Sequence, residues 1–257
     1  MPLLPGAEPA QFDGGPVGVV VVHGFTGSPG GVRAWGEYLA EHGLTVAVPR
    51  LPGHGTTWQE LAHTSWQDWY GEVERTFVEL TDRCETVFAM GLSMGATLCL
   101  RLAQVHDTGV RGLVLVNPFL SHPSPLLPLL PALRFVLPSV PGVVNDIAKP
   151  GQDEVGYSRV PLQALHSVTR LWRHVIPELP SMTRPTLLFR SQTDNVLGAR
   201  GAAMLLRRIG ATDVEERVLP DSHHVATLDY DAPTIFEGSL EFVQRLVPDA
   251  EPAGGGS

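Results

Sequence analysis

The feature that most constrains this chain's fold is a series of short apolar runs, spaced by longer stretches with helical periodicity. The runs fall at 17–22, 45–49, 86–90, 112–116, 186–189 and 214–219. Several of them, such as Val17-Gly-Val-Val-Val-Val22, are apolar at nearly every position and do not alternate. A strand that reads this way is buried on both faces, as the central strands of a parallel sheet are. Between the runs, 31–42, 66–80, 94–106, 200–210 and 234–246 read as helices. The alternation predicts an α/β fold, with a mostly parallel central sheet flanked by helices.

One region breaks the rhythm. From 119 to 180 the chain is rich in Pro, Leu and Val and offers no clear strand. It is expected to be an inserted cap (lid) between two sheet strands, so that 1–118 and 181–247 form the core. The Pro-, Ala- and Gly-rich tail 248–257 is expected to be disordered.

The composition narrows the function. A formal net charge of -9 argues against binding nucleic acid, whose phosphates attract basic faces. The two cysteines, Cys84 and Cys99, are too few for a disulfide framework and have no metal-ligand spacing. The glycines at 27, 30 and 31 do not form a phosphate loop, which needs a Lys they lack. No metal or cofactor is expected. The residues before Val17 hold no Lys or Arg and no long apolar run. They therefore carry no secretory signal pattern, and a soluble, cytoplasmic protein without a stable membrane anchor is expected.

The chemistry concentrates in Gly91-Leu92-Ser93-Met94-Gly95, which follows the apolar run 86–90 and precedes a helical stretch. Strand, G-x-S-x-G, helix is the context of a nucleophile elbow, a tight turn that lifts a serine hydroxyl above the sheet edge. Glycine at 91 and 95 removes the side chains that would collide in such a turn. A serine hydroxyl needs a base to take its proton, and the base needs an acid to orient it. In this arrangement the chain order is Ser, acid, His. Asp194 follows the fifth run, and the adjacent His223 and His224 follow the last. The residues alone leave open which histidine faces Ser93. Asp221, Asp229 and Asp231 lie beside the histidines and not after the fifth run, which disfavours them as the acid. The oxyanion of an attacked carbonyl needs fixed N–H donors. Met94, directly after the serine, supplies one, and Phe25, in the glycine-rich turn His23-Gly-Phe-Thr-Gly27, supplies the other.

With these segments the sequence resembles the bacterial monoacylglycerol lipases and related thermostable carboxylesterases of the α/β-hydrolase superfamily. The matching stretches are His23-Gly-Phe-Thr-Gly-Ser-Pro29, Pro49-Arg-Leu-Pro-Gly-His-Gly-Thr56, Gly91-Leu-Ser-Met-Gly95 and His224-Val-Ala-Thr-Leu-Asp229. The resemblance implies Ser93 as nucleophile, Asp194 as acid, His224 rather than His223 as base, and Phe25 and Met94 as oxyanion donors. It also implies a cap glutamate that binds a polar glycerol head, which falls on Glu154. The family often has Pro soon after the acid, in a D-x-x-V-P pattern, where this chain reads Asp194-Asn-Val-Leu-Gly198. The implied partner is a small ester with an apolar acyl group, for which the cap leucines offer a surface, and transient contact with lipid aggregates fits the same surface. Two other readings remain. One is a hydrolase of another small ester, thioester or lactone. The other is a non-catalytic binding module, which the three retained triad candidates disfavour.

Overall fold

The computed structural model describes residues 2–247. The tail expected to be disordered lies outside the described residues. In chain order the elements are β1 (Ala10–Phe12), β2 (Val17–Val22), α1 (Arg33–Glu41), β3 (Thr45–Val48), α2 (Trp58–Ala62), α3 (Trp66–Thr81), β4 (Thr86–Leu92), α4 (Met94–Val105), β5 (Val110–Val116), α5 (Leu130–Leu133), β6 (Ser139–Pro141), β7 (Arg159–Pro161), α6 (Leu162–Glu178), β8 (Thr186–Ser191), α7 (Arg200–Arg208), β9 (Val214–Leu219) and α8 (Ala232–Leu246).

Seven strands form one sheet in the order β1-β3-β2-β4-β5-β8-β9. Every pairing in it is parallel except that of β1 with β3. The continuous apolar runs have the expected cause. In β2, Val20 and Val22 face one core while Val17, Val19 and Val21 face the other. In β4 the same split puts Val87 and Ala89 on one side and Phe88, Met90 and Leu92 on the other. Side chains alternate across a strand, so a sheet covered on both faces needs apolar residues at every position. Trp35 of α1 and Phe242 of α8 cover one face, and α3, α4 and α6 cover the other. The last strand, β9, lies at the edge and is only partly buried.

Six elements were not expected from the sequence: β1, α2, α5, β6, β7 and α6. β1 is a three-residue edge strand, too short to show a period. The largest difference is α6, seventeen residues long, inside the segment expected to be a cap. Leu162, Leu165, Val168, Leu171, Trp172 and Val175 line its buried face, and it packs on α3 and α4. The segment 119–180 thus holds two unlike parts. Residues 119–161 contain only short pieces, α5 and the small β6–β7 hairpin, and α6 belongs to the helical layer.

Candidate active site

The loops after β2, β4, β8 and β9 converge at the carboxyl ends of the parallel strands, where ligands of open α/β sheets bind. β4 delivers Ser93 and β8 delivers Asp194. β9 delivers His224, and the turn after β2 carries Phe25.

Ser93 lies between the last residue of β4 and the first of α4, with φ 57° and ψ -116°, outside the ordinary regions for a side-chain-bearing residue. The conformation is held from both sides, because the Ser93 N–H donates to Val116 O at 2.8 Å and the Ser93 carbonyl accepts from Phe119 N–H at 3.1 Å. The flanking glycines are obligatory. A Cβ at Gly95 would sit 2.1 Å from Val22 O, and one at Gly91 would sit 2.5 Å from Gly95 C.

The Ser93 Oγ lies 3.0 Å from His224 Nε2, and His224 Nδ1 lies 2.8 Å from Asp194 Oδ2. Of the two histidines left open by the residues, His224 therefore faces the serine. His223 turns aside, its Nδ1 3.4 Å from Asp146 Oδ1, and it stays about one-third exposed. The other acids near the histidines are engaged elsewhere. Asp229 accepts four backbone N–H groups, from Ala148, Lys149, His223 and Tyr230, and Asp231 accepts the N–H of Asp221. Asp194 Oδ1 takes the N–H groups of Val196 and Leu197, and the loop closes through Gly198 at φ 61°. Proline cannot adopt that angle, so the chain's departure from the D-x-x-V-P pattern matches a different turn after Asp194.

Burial opposes charge on His224. The hydrogen bond and negative charge of Asp194, with the charges of Glu154 and Asp146, outweigh it and hold the imidazole above its ordinary value. Burial likewise opposes ionisation of Asp194, but its bonds to His224 and to the loop N–H groups hold the carboxyl below the usual range. Both shifts favour a charged pair once His224 accepts a proton.

Gly24 passes close to the serine, where an added Cβ would lie 3.3 Å from Ser93 Cβ, and the following Phe25 lines the same cavity as Ser93. Met94 is the first residue of α4, where an N–H has no partner within its own helix. Glu154 joins the same site. Its Oε2 would lie 3.4 Å from a Cβ at Gly27, and its carbonyl accepts from Ser28 Oγ at 3.2 Å. Burial raises its carboxyl above the usual range.

Phe25, Ser93, Glu154 and His224 line a cavity of about 560 Å³. Leu127, Leu130, Leu133 and Val140 from the inserted segment and Val196 and Leu197 from the acid loop form its apolar wall. Sequence reasoning missed Asn117, at the end of β5 with φ 45°. Its Nδ2 donates to Ser191 Oγ and to the His224 carbonyl, both at 2.9 Å. The Val-Asn-Pro sequence at a strand end is the signal for it, since Asn tolerates a positive φ. Among the described residues no group of three or more His, Cys, Asp or Glu could hold a metal ion.

The sequence profile of a family described as serine aminopeptidase, S33, matches residues 17–231. This chain belongs to that family. Among curated relatives of this hydrolase, the thermostable monoacylglycerol lipase of Bacillus sp. (strain H-257) is 39% identical over 245 residues, 95% of this chain and 97% of that one. The carboxylesterase of Bacillus subtilis (strain 168) is 25% identical over 240 residues, 93% of this chain and 97% of that one. A solved structure described under LipS and LipT, two metagenome-derived lipolytic enzymes, superposes with a TM-score of 0.90 at 36% identity, covering 95% of this chain and all of the other. The fold is therefore that of the α/β hydrolases, as the motifs imply.

Proposed function

We propose that this hydrolase cleaves carboxylic esters, with monoacylglycerols or short-to-medium acyl esters as substrates, through an acyl-enzyme on Ser93. The observation that carries the reading is the unbroken hydrogen-bond line from Ser93 Oγ through His224 to Asp194, set in the floor of an apolar cavity. His224 takes the Ser93 proton as Oγ attacks the ester carbonyl. The N–H groups of Phe25 and Met94 receive the oxyanion, and each such donor is worth about 3 kcal/mol of barrier. His224 then protonates the leaving alcohol, and water repeats the cycle to release the acid. Asp194 holds the productive tautomer throughout.

The acyl chain lies along the leucines of the inserted segment, where each buried methylene contributes about 0.8 kcal/mol. Residues 119–161 act as the cap, with Glu154 turned to the polar head. The identity to a monoacylglycerol lipase supports that substrate class. No helix among the described residues is long and apolar enough to cross a membrane. The protein works in the cytoplasm on small esters, with at most transient contact with lipid aggregates.

The test is a hydrolysis panel of p-nitrophenyl esters of increasing chain length beside monoacylglycerols, on the native protein and Ser93→Ala, with fluorophosphonate labelling in parallel. Labelling and hydrolysis that both vanish in Ser93→Ala are expected. An inert Ser93 in the native protein overturns the reading in favour of a binding module. Turnover of very short esters with none of monoacylglycerols removes the lipase half of it.

A further inference from the structure

Asp146 comes from the inserted segment, far from the triad in sequence, and is 8% exposed. Its Oδ2 accepts the backbone N–H of Asn195 at 3.0 Å and that of His224 at 3.1 Å. Its Oδ1 accepts from Asn195 Nδ2 at 2.7 Å and faces His223 Nδ1 at 3.4 Å. One carboxylate therefore grips the residue after the triad acid and the peptide of the triad histidine together. The Asp146 carbonyl adds a third link, accepting from Val225 N–H at 3.1 Å.

The grip is returned. Asp229, six residues beyond His223 and 1% exposed, reaches back to the N–H groups of Ala148 and Lys149 at 2.7 and 2.9 Å while also holding His223 N–H at 2.9 Å. Residues 146–149 and 223–229 are thus stapled by two carboxylates running in opposite directions. On the other side of the His224 peptide, Asn117 Nδ2 holds its carbonyl. The His224 backbone is fixed through its N–H by the inserted segment and through its C=O by the sheet.

We propose that Asp146 is a positioning residue for the ester hydrolysis proposed above: it locks the acid loop and the base loop in register, so that the inserted segment completes the triad and does not merely cover it. Charge-assisted bonds from a carboxylate to backbone N–H groups are among the stronger hydrogen bonds. The displacement that matters is small, since an error of about 1 Å in a catalytic group costs on the order of 100-fold in rate. Asp146 acts through His224 and Asn195, and substrate binding to the leucine wall does not depend on it.

The experiment compares Asp146→Ala and Asp146→Asn with the parent on p-nitrophenyl butyrate, from pH 5 to 9. Asp146→Ala is expected to lose on the order of 10- to 100-fold in kcat with KM within about threefold. Asp146→Asn keeps an oxygen for the two backbone N–H groups, and a flipped Asn195 amide meets its new donor. It is expected to restore kcat to within about fivefold of the parent. The pH profile adds a readout that packing alone would not move. The charged groups facing His224 are Asp194 from the acid loop and Glu154 and Asp146 from the inserted segment, and His223 and Asn195 face Asp146 itself. Removing one negative charge makes the imidazolium less favourable, so the acidic limb of kcat/KM moves to lower pH in both variants.

Unchanged kcat in Asp146→Ala, a loss confined to KM, or an Asn variant as poor as Ala would each overturn the proposal. If Asp146→Ala does not fold, Asp146→Ser takes its place with the same expected loss in kcat, and an unchanged kcat overturns the proposal. Ser93→Ala separates this inference from the reading beneath it. Hydrolysis surviving in Ser93→Ala defeats the functional reading. A dead Ser93→Ala beside an unimpaired Asp146→Ala defeats only the role of Asp146.

Discussion

Glu154 and Asn145 hold each other's backbone: Glu154 Oε1 accepts the Asn145 N–H at 3.0 Å, and Asn145 Oδ1 accepts the Glu154 N–H at 2.9 Å. The reciprocal pair closes the loop between β6 and β7 and sets Glu154 against the turn that carries Phe25. One carboxylate oxygen is thereby committed to structure. The other, Oε2, lies on the Gly27 side at the cavity wall.

If that second oxygen receives a glycerol hydroxyl, Glu154→Ala separates substrates by their alcohol. A hydrogen bond to a charged group is worth about 1.5–3 kcal/mol, so kcat/KM for a monoacylglycerol should fall roughly 10- to 100-fold. Hydrolysis of p-nitrophenyl butyrate, which has no such hydroxyl, should change less than about threefold. Steady-state kinetics on both substrates check this, and equal losses would remove Glu154 from the alcohol site.

Activity should follow the titration of His224. The base must be neutral to take the serine proton, so kcat/KM rises with pH through the pKa of the free enzyme. Burial alone would bring that value down, but Asp194, Glu154 and Asp146 outweigh it, so the half-maximal point should lie above 6.5. Glu154→Gln removes one of the raising charges and should move the limb to lower pH. A pH–rate profile on a soluble ester measures both, and a native limb well below pH 6.5 would contradict the arrangement.

Much of this site was legible in the sequence because its parts are local. The elbow needs Gly91, Ser93 and Gly95 within five residues, and the doubly buried strands announce themselves as apolar runs. What could not be read is what depends on long-range contact. Neither periodicity nor spacing separates His223 from His224; only the resemblance, through His224-Val-Ala-Thr-Leu-Asp229, favours His224. The difference is that His224 has its N–H on Asp146 and its carbonyl on Asn117, residues 78 and 107 positions away. Asp146 itself sits in a stretch whose neighbours suggested only a cap. α6 had a readable apolar face from Leu162 to Val175, but it was masked by the proline-rich segment before it and by Pro177 in its last turn. β1 was invisible because three edge residues carry no pattern.

The elbow should show a stability cost that is separable from catalysis. Gly95→Ala drives a methyl into the Val22 carbonyl at the end of β2, with no flexible side chain to yield. Overpacking of this kind costs about 3 kcal/mol or more, so the variant should melt well below the parent or fail to accumulate. Ser93→Gly should act in the opposite direction. A side-chain-bearing residue at φ 57° and ψ -116° carries about 1–3 kcal/mol of strain that glycine avoids. Ser93→Gly should therefore be inactive yet more stable than Ser93→Ala by about 1 kcal/mol. Urea unfolding of the two inactive variants tests this, and an Ala variant as stable as Gly would show that the turn is not strained.

Acid stability should be set in part by His23, directly after β2. Its ring is 1% exposed, with Nδ1 on the Gly24 carbonyl at 3.0 Å and Nε2 accepting the Leu51 N–H at 3.2 Å. That pattern needs the neutral imidazole, since protonating Nε2 would turn the acceptor into a donor facing a donor. Burial, joined by the Arg50 charge, outweighs the hydrogen bond to the Gly24 carbonyl and brings its pKa down to about 4. A group neutral in the fold at a pH where the unfolded chain would be charged stabilises the fold above the unfolded value of about 6.5. The contribution is lost as pH falls from there toward 4, and at about 1.4 kcal/mol per unit it amounts to about 3 kcal/mol for His23. His54, also fully buried, is held by that burial well below its ordinary value and adds to the same slope. His23→Gln should be less stable than the parent at pH 7 but should lose stability less steeply between pH 6.5 and 4. Urea midpoints at pH 7, 5.5 and 4 decide it: if the two proteins fall in parallel, the proton that destabilises the fold binds somewhere other than His23.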